Sequence, residues 1–221
     1  MTKFPRLDIL PPAQRQLWPE LARVSDEAFV LYGGTAVALY LGHRESVDFD
    51  FFTDRTFQPD DLLSKFHFLH GAELLQTQRD TLTVLAPGDG THPVKISFFG
   101  GFVFGRLRDP ELTPDGVMEV ASIQDLLAHK LKVLLQRVEI KDYLDIDVLL
   151  QSGLDLADGC AGAQALFPAF APQECLKALT YFNDPSLSDL SLPLRERLIE
   201  AAAHVQSIPH TTVKSKTLSK R

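Results

Sequence analysis

The segment that most constrains the fold is 29–53, which reads FVLYGGTAVALYLGHRESVDFDFFT. It opens with an apolar run at 29–32 that predicts a short buried strand, because a pair of glycines bounds the run. A short helix is predicted at 36–41, where Thr35 is a suitable N-cap and the next glycine ends the helix. Apolar and acidic residues then alternate at 47–51, which is the period of a strand. The segment therefore predicts a strand, a turn, a helix and a second strand.

Two carboxylates share one face of that second strand. Asp48 and Asp50 are two residues apart, so their Cα atoms lie roughly 6–7 Å from each other at the rise of a strand. Such a pair suits Mg²⁺, which is usually held by one or two carboxylates together with substrate phosphates. The glycine turn would present backbone N–H groups at the start of a helix, where a triphosphate can bind. A bare Asp-x-Asp motif is also compatible with two solvent-facing aspartates above an aromatic core.

A second segment, 123–149, reads IQDLLAHKLKVLLQRVEIKDYLDIDVL and predicts a helix with an apolar stripe. Lys130 and Arg137 continue that stripe. The aliphatic parts of these two side chains could pack against the core while their charged groups reach water. Alternatively, the lysine ammonium could bind phosphate oxygens near an acidic cation site. Asp142 and Asp145 could likewise be surface partners of neighbouring cations on the helix. The pattern alone leaves these alternatives open.

Together these residues resemble two signatures of the nucleotidyltransferase superfamily, in the form of the AbiEii/AbiGii toxin-like family of type IV toxin–antitoxin systems. The first signature comprises Gly33-Gly34-Thr35-Ala36, His43-Arg44, Ser46 and Asp48-Phe49-Asp50-Phe51-Phe52. The second comprises Lys130, Arg137, Lys141-Asp142 and Asp145-Ile146. The resemblance implies an α+β fold with a mixed sheet, of the polymerase-β-like nucleotidyltransferase type, and a C-terminal helical region.

The resemblance also implies an activity. It is the Mg²⁺-dependent transfer of a nucleoside monophosphate from a nucleoside triphosphate (NTP) to an acceptor hydroxyl, on an RNA such as a tRNA or on a protein. The metal ligands would be Asp48 and Asp50. The catalytic residues would be Asp48, Asp50, Lys130, Asp142 and Asp145, and the nucleotide contacts would be Gly33, Gly34, Thr35, Arg44, Ser46, Lys95 and Arg137. The protein would be a toxin with a cognate antitoxin.

The sequence departs from the superfamily at one position. A strand is predicted at 92–99, and in most nucleotidyltransferases of this kind a strand at this stage supplies a third acidic residue. Ser97 occupies the matching position, and a hydroxyl cannot replace a carboxylate as an anionic metal ligand. Either two carboxylates suffice, or the chain is a catalytically weakened NTP-binding module that acts through a protein partner.

The remaining pattern predicts the domain organisation. Helices are expected at 11–28 and 60–70, and a hairpin is expected from strands at 73–76 and 81–85. In the first of these helices, Pro19 is expected either to cause a kink or to mark the true start. We expect a sheet domain at 1–120, a helical region at 121–210 that completes the active-site cleft, and a flexible basic tail at 211–221.

Composition excludes several classes of protein. A net charge of −7 argues against a protein that binds nucleic acid over its whole surface. No run approaches the roughly 18–20 apolar residues of a membrane span. The first residues lack the apolar core of a signal peptide, so we expect a cytoplasmic protein without a membrane partner. The two cysteines have no metal-ligand spacing.

Overall fold

The structure is a computed structural model that describes residues 4–88 and 92–221. It divides into two compact units. The first, which we call the sheet unit, comprises Met1–Ser122 and Ser215–Arg221. The second, the helical unit, comprises Ile123–Lys214. Strands and helices occur together in the sheet unit, so the expectation of a mixed α and β fold is confirmed at that level.

The sheet unit begins with helices interrupted by a proline. The helix expected at 11–28 is interrupted at Pro19, which was one of the two alternatives for this residue, because a 3-10 turn at Trp18–Leu21 separates two short α-helices. Pro19 lies in this turn and lacks the N–H group that a continuous helix would need. The α-helices of the sheet unit are α1 at Pro12–Leu17, α2 at Ala22–Asp26, α3 at Gly33–Leu41 and α4 at Pro59–Lys65.

The described strands form one seven-stranded mixed sheet. They are β1 at Val30–Tyr32, β2 at Asp48–Phe52, β3 at Glu73–Gln78, β4 at Thr81–Ala86, β5 at Val94–Phe99, β6 at Glu111–Leu112 and β7 at Glu119–Val120. Their order is β3-β4-β5-β2-β1-β7-β6. β2 pairs with β5 and β1 with β7 in parallel, and the other pairs are antiparallel. The predicted hairpin of β3 and β4 is confirmed.

The two faces of the sheet differ in chemistry because side chains alternate along each strand. Phe49 and Phe51 of β2 are fully buried on one face, as the sequence predicted, beside Ile96 and Phe98 of β5. The opposite face carries the two aspartates of β2, which lie beside polar residues of β5. The core therefore covers one face of the central strands, and their other face carries the partly exposed side chains of Asp48 and Asp50.

Five helices make up the described core of the helical unit. They are α5 at Ile123–Leu134, α6 at Ile140–Gln151, α7 at Leu156–Leu166, α8 at Pro172–Thr180 and α9 at Leu192–His204. The predicted continuous helix at 123–149 is wrong, because α5 ends before a connection at 135–139. α5 packs tightly on α7, where a Cβ on Gly159 would lie 2.7 Å from the Leu127 side chain and 3.0 Å from that of Leu131.

The last seven residues fall within the segment at 211–221 for which the sequence predicted a flexible basic tail, and the structure describes their contacts. They belong to the sheet unit, where the buried guanidinium of Arg106 donates to the carbonyl oxygens of Thr217 at 2.7 Å and Ser219 at 2.9 Å. The Ser219 hydroxyl donates to the buried carboxylate of Glu119 at 2.6 Å. Leu218 is only 1% exposed. The buried side chains of Arg106 and Glu119 thus obtain hydrogen-bond partners from this polar segment, which offsets the cost of burying them.

Truncation after Lys214 is expected to lower the free energy of unfolding by about 2–3 kcal/mol, because it removes the burial of Leu218 and leaves Arg106 and Glu119 without these partners. Urea unfolding followed by circular dichroism measures the change. Lys216→Ala is the control, since that side chain is exposed, and its free energy of unfolding should stay within about 0.5 kcal/mol of wild type. A truncated chain as stable as wild type would contradict the structural role of the segment.

Candidate functional site

The two carboxylates of β2 lie at one end of the polar sheet face. Asp48 pairs with Lys95 across the parallel β2–β5 register, and its Oδ2 is 3.8 Å from the lysine Nζ. Asp50 pairs with Ser97 of β5 and with Tyr32 of β1. The Asp48 side chain is 32% exposed and that of Lys95 is 44% exposed, so both can reach a ligand from solvent. Their long, exposed ion pair is weak enough to open for one.

The glycine turn is shaped by the residues that surround it. Gly33 has a φ of +74°, and a Cβ at this position would collide with Oδ2 of Asp50. A Cβ on Gly34 would collide with the guanidinium of Arg44 and would lie 3.2 Å from Oγ of Ser46. Only glycine satisfies both the backbone angle and the close approach at position 33. The structure thus brings the turn together with Asp50, Arg44 and Ser46.

Thr35 connects the turn to the carboxylate strand. It is not the N-cap of α3 as the sequence predicted, because the helix already begins at Gly33 with Tyr32 as its N-cap. The Thr35 hydroxyl instead donates a hydrogen bond to the backbone carbonyl of Asp48, and the residue is 1% exposed. The backbone N–H groups of the first helical turn have no acceptor within the helix. They are therefore suited to an anion beside the two carboxylates.

If Asp48 and Asp50 hold Mg²⁺, as proposed below, Gly33→Ala is expected to weaken that binding by at least about tenfold, because the new methyl group must displace the Asp50 side chain. The positive φ adds strain of about 1–2 kcal/mol to the folded state. Calorimetric titration with Mg²⁺ and NTP measures binding. Gly116→Ala is a matched control, because Gly116 has the same φ of +74° and nothing within 4 Å of a built Cβ. Equal binding losses in the two variants would show that strain, rather than the carboxylate contact, matters.

The third acidic position of the superfamily is occupied by Ser97. It lies directly opposite Asp50 in β5 and is 3% exposed. Among the described residues, no group of three or more His, Cys, Asp or Glu side chains could hold a metal ion. A donor set of two carboxylates still fits Mg²⁺, because this ion commonly completes its octahedral shell with waters and substrate phosphate oxygens.

The predicted site residues of the second signature form a buried ionic cluster within the helical unit. Lys130 of α5 donates to Asp142 at 2.7 Å and to Asp145 at 2.6 Å, both on α6. The lysine side chain is 8% exposed and the two carboxylates are fully buried. Arg137, in the connection rather than on the predicted helix, donates to Asp142 at 2.9 Å. This cluster joins the two helices through charge-assisted hydrogen bonds.

The charge state of the cluster follows from its geometry. Burial alone would raise the pKa of Asp142, but the hydrogen bond from Arg137 and the charge of Lys130 outweigh it, so this pKa lies below its ordinary value. Asp142 is therefore ionised at neutral pH. The ammonium of Lys130 is shared by two carboxylates, which is the arrangement expected of a buried lysine.

The structure thus places the predicted residues in two sets, each brought together within its own unit. The sheet unit holds Gly33, Gly34, Thr35, Arg44, Ser46, Asp48, Asp50 and Lys95. The helical unit holds Lys130, Arg137, Asp142 and Asp145. A contact between Lys130 and a nucleotide stays a prediction, as do the catalytic roles of Asp142 and Asp145.

Aromatic residues on the carboxylate face were missed by the sequence reasoning. Phe52 lies two residues after Asp50, so strand alternation puts it on the same face. Phe99 of β5 is its direct neighbour, and the ring of Phe102 is 4.9 Å from that of Phe52. The signal for Phe52 was available in the spacing, because the strand extends one residue further than predicted.

Comparison with known proteins decides the family. The family model described as nucleotidyl transferase AbiEii toxin, type IV TA system, matches residues 20–208. The chain belongs to this family. The AbiEii-family protein is also similar to the uncharacterized protein aq_aa25 of Aquifex aeolicus (strain VF5), with 31% identity over 159 residues, which is 71% of this chain and 74% of that protein. The family is one of nucleotidyltransferase toxins, which confirms the resemblance seen in both signatures.

Two features of this AbiEii-family protein complete the description. The segment at 215–221 that packs on the sheet unit lies outside the range matched by the family model. Within residues 4–88 and 92–221, no helix has the length and apolar character needed to span a membrane.

Proposed function

We propose that this AbiEii-family protein is a Mg²⁺-dependent nucleotidyltransferase that moves a nucleoside monophosphate from an NTP to an acceptor hydroxyl. The observation that carries this proposal is the meeting of Asp48, Asp50 and the Gly33-Gly34 turn at one end of the polar sheet face. A polymerase-β-like arrangement of the sheet is part of the same proposal. Carboxylates and the N–H groups of a helix N-terminus at one place match the two needs of a metal–triphosphate substrate.

In this proposal each residue of the sheet unit has a defined task. Asp48 and Asp50 hold the Mg²⁺, which when bound neutralises charge on the phosphate oxygens. The backbone of the glycine turn and the first turn of α3, including Thr35, receives the phosphates. The side chains of Arg44, Ser46 and Lys95 are close enough to this turn and to Asp48 to add donors. Catalysis is then mainly alignment and electrostatic stabilisation, with no covalent step on the protein.

The roles of the residues of the second signature are supported by the family resemblance and not by the geometry of the helical unit. Family resemblance assigns nucleotide contacts to Lys130 and Arg137, and an acidic role to Asp142 or Asp145. The geometry of the helical unit supports a structural role for the same residues, because the lysine ammonium is satisfied by two buried carboxylates. Measuring both the stability and the activity of Lys130 variants distinguishes a nucleotide contact from a structural role.

We propose an acceptor of the kind implied by the family, an RNA such as the end of a tRNA, or a protein. Growth arrest in the cytoplasm would then follow from modification of that acceptor, and a cognate antitoxin would oppose it. The net charge of −7 favours recognition of an RNA through a local site rather than through a wholly basic surface.

The proposal is tested by incubating the protein with Mg²⁺, each of the four labelled NTPs in turn, and an extract that contains RNA and protein. We expect one class of acceptor to become labelled, and the label to disappear without Mg²⁺ or in Asp48→Ala. Asp60→Ala, which changes an exposed carboxylate on α4, should label the acceptor as wild type does. Labelling that persists in Asp48→Ala would refute the assignment of the site.

A second candidate function follows from Ser97. Because the residue opposite Asp50 is not acidic, the site could bind an NTP without transferring it, and the protein would then act through a protein partner. The distinguishing result is a wild-type protein that binds Mg²⁺ and NTP but labels no acceptor. Transfer by the wild-type protein rules this candidate out.

A further inference from the structure

The sheet face that carries the carboxylates continues into a row of aromatic side chains. Along β2, Asp48, Asp50 and Phe52 point to the same side, and Phe52 lies roughly 6–7 Å beyond Asp50 along the strand. Phe99 is the direct neighbour of Phe52 across the parallel register. Polar residues thus occupy one end of this face, and aromatic residues occupy the other end.

Ring contacts extend the row beyond the strands. The Phe52 ring is 5.6 Å from that of Phe99 in an edge-to-face arrangement and 4.9 Å from that of Phe102. Phe102 in turn lies 4.8 Å from Phe104. Tyr32 of β1, which pairs with Asp50 and is 2% exposed, is stacked on Phe52 at 4.7 Å with an interplanar angle of 14°. We call Phe52, Phe99, Phe102 and Phe104 the aromatic row.

Backbone hydrogen bonds hold the row in place. The Phe102 N–H donates to the carbonyl of Thr53 at 3.3 Å, and the Gly101 N–H donates to that of Arg55 at 2.9 Å. The segment after β5 is therefore tied to the segment after β2. An apolar surface fixed in this way loses little conformational entropy when a ligand binds, so it is preorganised.

The side chains of the aromatic row are more exposed to solvent than the aromatic side chains of the core. All four of its rings are partly exposed, whereas Phe49, Phe51 and Phe98 on the opposite face are fully buried. Partly exposed aromatic side chains next to polar groups are characteristic of ligand sites. Planar rings of this type stack on nucleobases, and such stacking tolerates every base because each has a π-face.

We propose that the aromatic row holds the base of the nucleoside triphosphate whose phosphates bind at Asp48 and Asp50. This inference rests on the proposed function, since it needs the triphosphate at the carboxylate end of the face. It adds a subsite that reads the nucleoside mainly by stacking. All four NTPs should therefore bind with similar affinity, and each should bind more tightly than inorganic tripolyphosphate, which has no base.

The test compares NTP binding with tripolyphosphate binding by calorimetry, in the presence of Mg²⁺ and without an acceptor. Wild type is expected to bind ATP about 5-fold to 100-fold more tightly than tripolyphosphate. Phe102→Ala should weaken ATP binding by roughly tenfold and leave tripolyphosphate binding unchanged. Phe102→Trp should retain ATP binding because it keeps a stacking surface, whereas Phe102→Leu should not.

Controls separate stacking from a loss of folding. Phe68→Ala removes another partly exposed phenylalanine of the sheet unit, one stacked on Phe66, and should change neither affinity. Circular dichroism and the urea midpoint establish that each variant is folded. Phe99→Ala provides a second variant of the row if Phe102→Ala does not fold.

The outcomes distinguish this inference from the function on which it rests. Equal affinities for ATP and tripolyphosphate, with no effect of Phe102→Ala on ATP, would overturn the aromatic subsite and leave the metal–triphosphate site standing. Unchanged ATP binding together with a loss of RNA labelling in Phe102→Ala would assign the row to the acceptor and would also overturn the proposal. Absence of Mg²⁺-dependent binding of either compound to wild type would refute the proposed function itself.

Discussion

Asp50→Asn is expected to lower Mg²⁺-dependent nucleotide transfer by about a hundredfold or more, while the protein stays folded. The amide keeps the shape of the carboxylate but not its charge, so a metal held by two carboxylates loses half of its anionic protein ligands. Asp50 is partly exposed at the end of the polar face, so we expect the free energy of unfolding to change by less than about 1 kcal/mol. Transfer of label from NTP to acceptor, together with urea unfolding, measures both quantities.

The matched control for this variant is Asp60→Asn, which makes the same chemical change on an exposed residue of α4 and should retain full activity. A different pair of results would reverse the interpretation. If Asp50→Asn unfolds the protein while Mg²⁺ has no effect on wild type, then Asp50 is a structural residue of the turn around Gly33.

Lys130→Met is expected to destabilise the protein by about 3–5 kcal/mol, because it leaves two buried carboxylates without their shared cation. Arg137 still forms an ion pair with Asp142. Its side chain is 44% exposed, however, so its charge remains hydrated and compensates Asp142 less well than the buried lysine does. Asp145 loses the ion pair at 2.6 Å that accompanies its full burial. Urea unfolding of the full chain measures the change.

Two further variants make this result interpretable. Lys177→Met removes a lysine of α8 whose ion pair with Glu174 is exposed, and should change stability by less than about 0.5 kcal/mol. Combining Lys130→Met with Asp142→Asn and Asp145→Asn removes the uncompensated charge and should recover part of the lost stability. A Lys130→Met protein that is as stable as wild type but inactive would instead support the nucleotide contact implied by the family.

The carboxylate strand could be predicted because its information is local. Alternation with a period of two is enough to put Asp48 and Asp50 on one face and Phe49 and Phe51 in the core, whatever the strand pairs with. The glycine pair was informative for the same reason, since a positive φ is a property of one residue. The family signatures lie within such local segments.

Helix boundaries were predicted less well because they depend on tertiary packing. The connection at 135–139 contains neither glycine nor proline, so nothing in its sequence separates α5 from α6. The break appears where two helices fold back and Lys130 meets Asp142 and Asp145. A pattern read along one continuous helix could only pair these aspartates with neighbours on the same helix.

The contacts within the aromatic row and those of the final segment could not be predicted from the sequence for a related reason. Phe99 becomes a neighbour of Phe52 only through the β2–β5 register, and that strand order is not encoded in either strand alone. The final residues have a composition typical of frayed ends, yet they bind Arg106 and Glu119 from a distant part of the chain. Long-range partners of this kind leave no periodic signal.

The division of the sheet unit between Met1–Ser122 and Ser215–Arg221 sets the order in which the protein can be completed during translation. A ribosome must make the whole helical unit before residues 215–221 exist to cover Arg106 and Glu119. The N-terminal part of the sheet unit therefore cannot complete these contacts before the helical unit has been synthesised. The nascent chain would therefore carry an incompletely packed sheet unit until residues 215–221 had been synthesised.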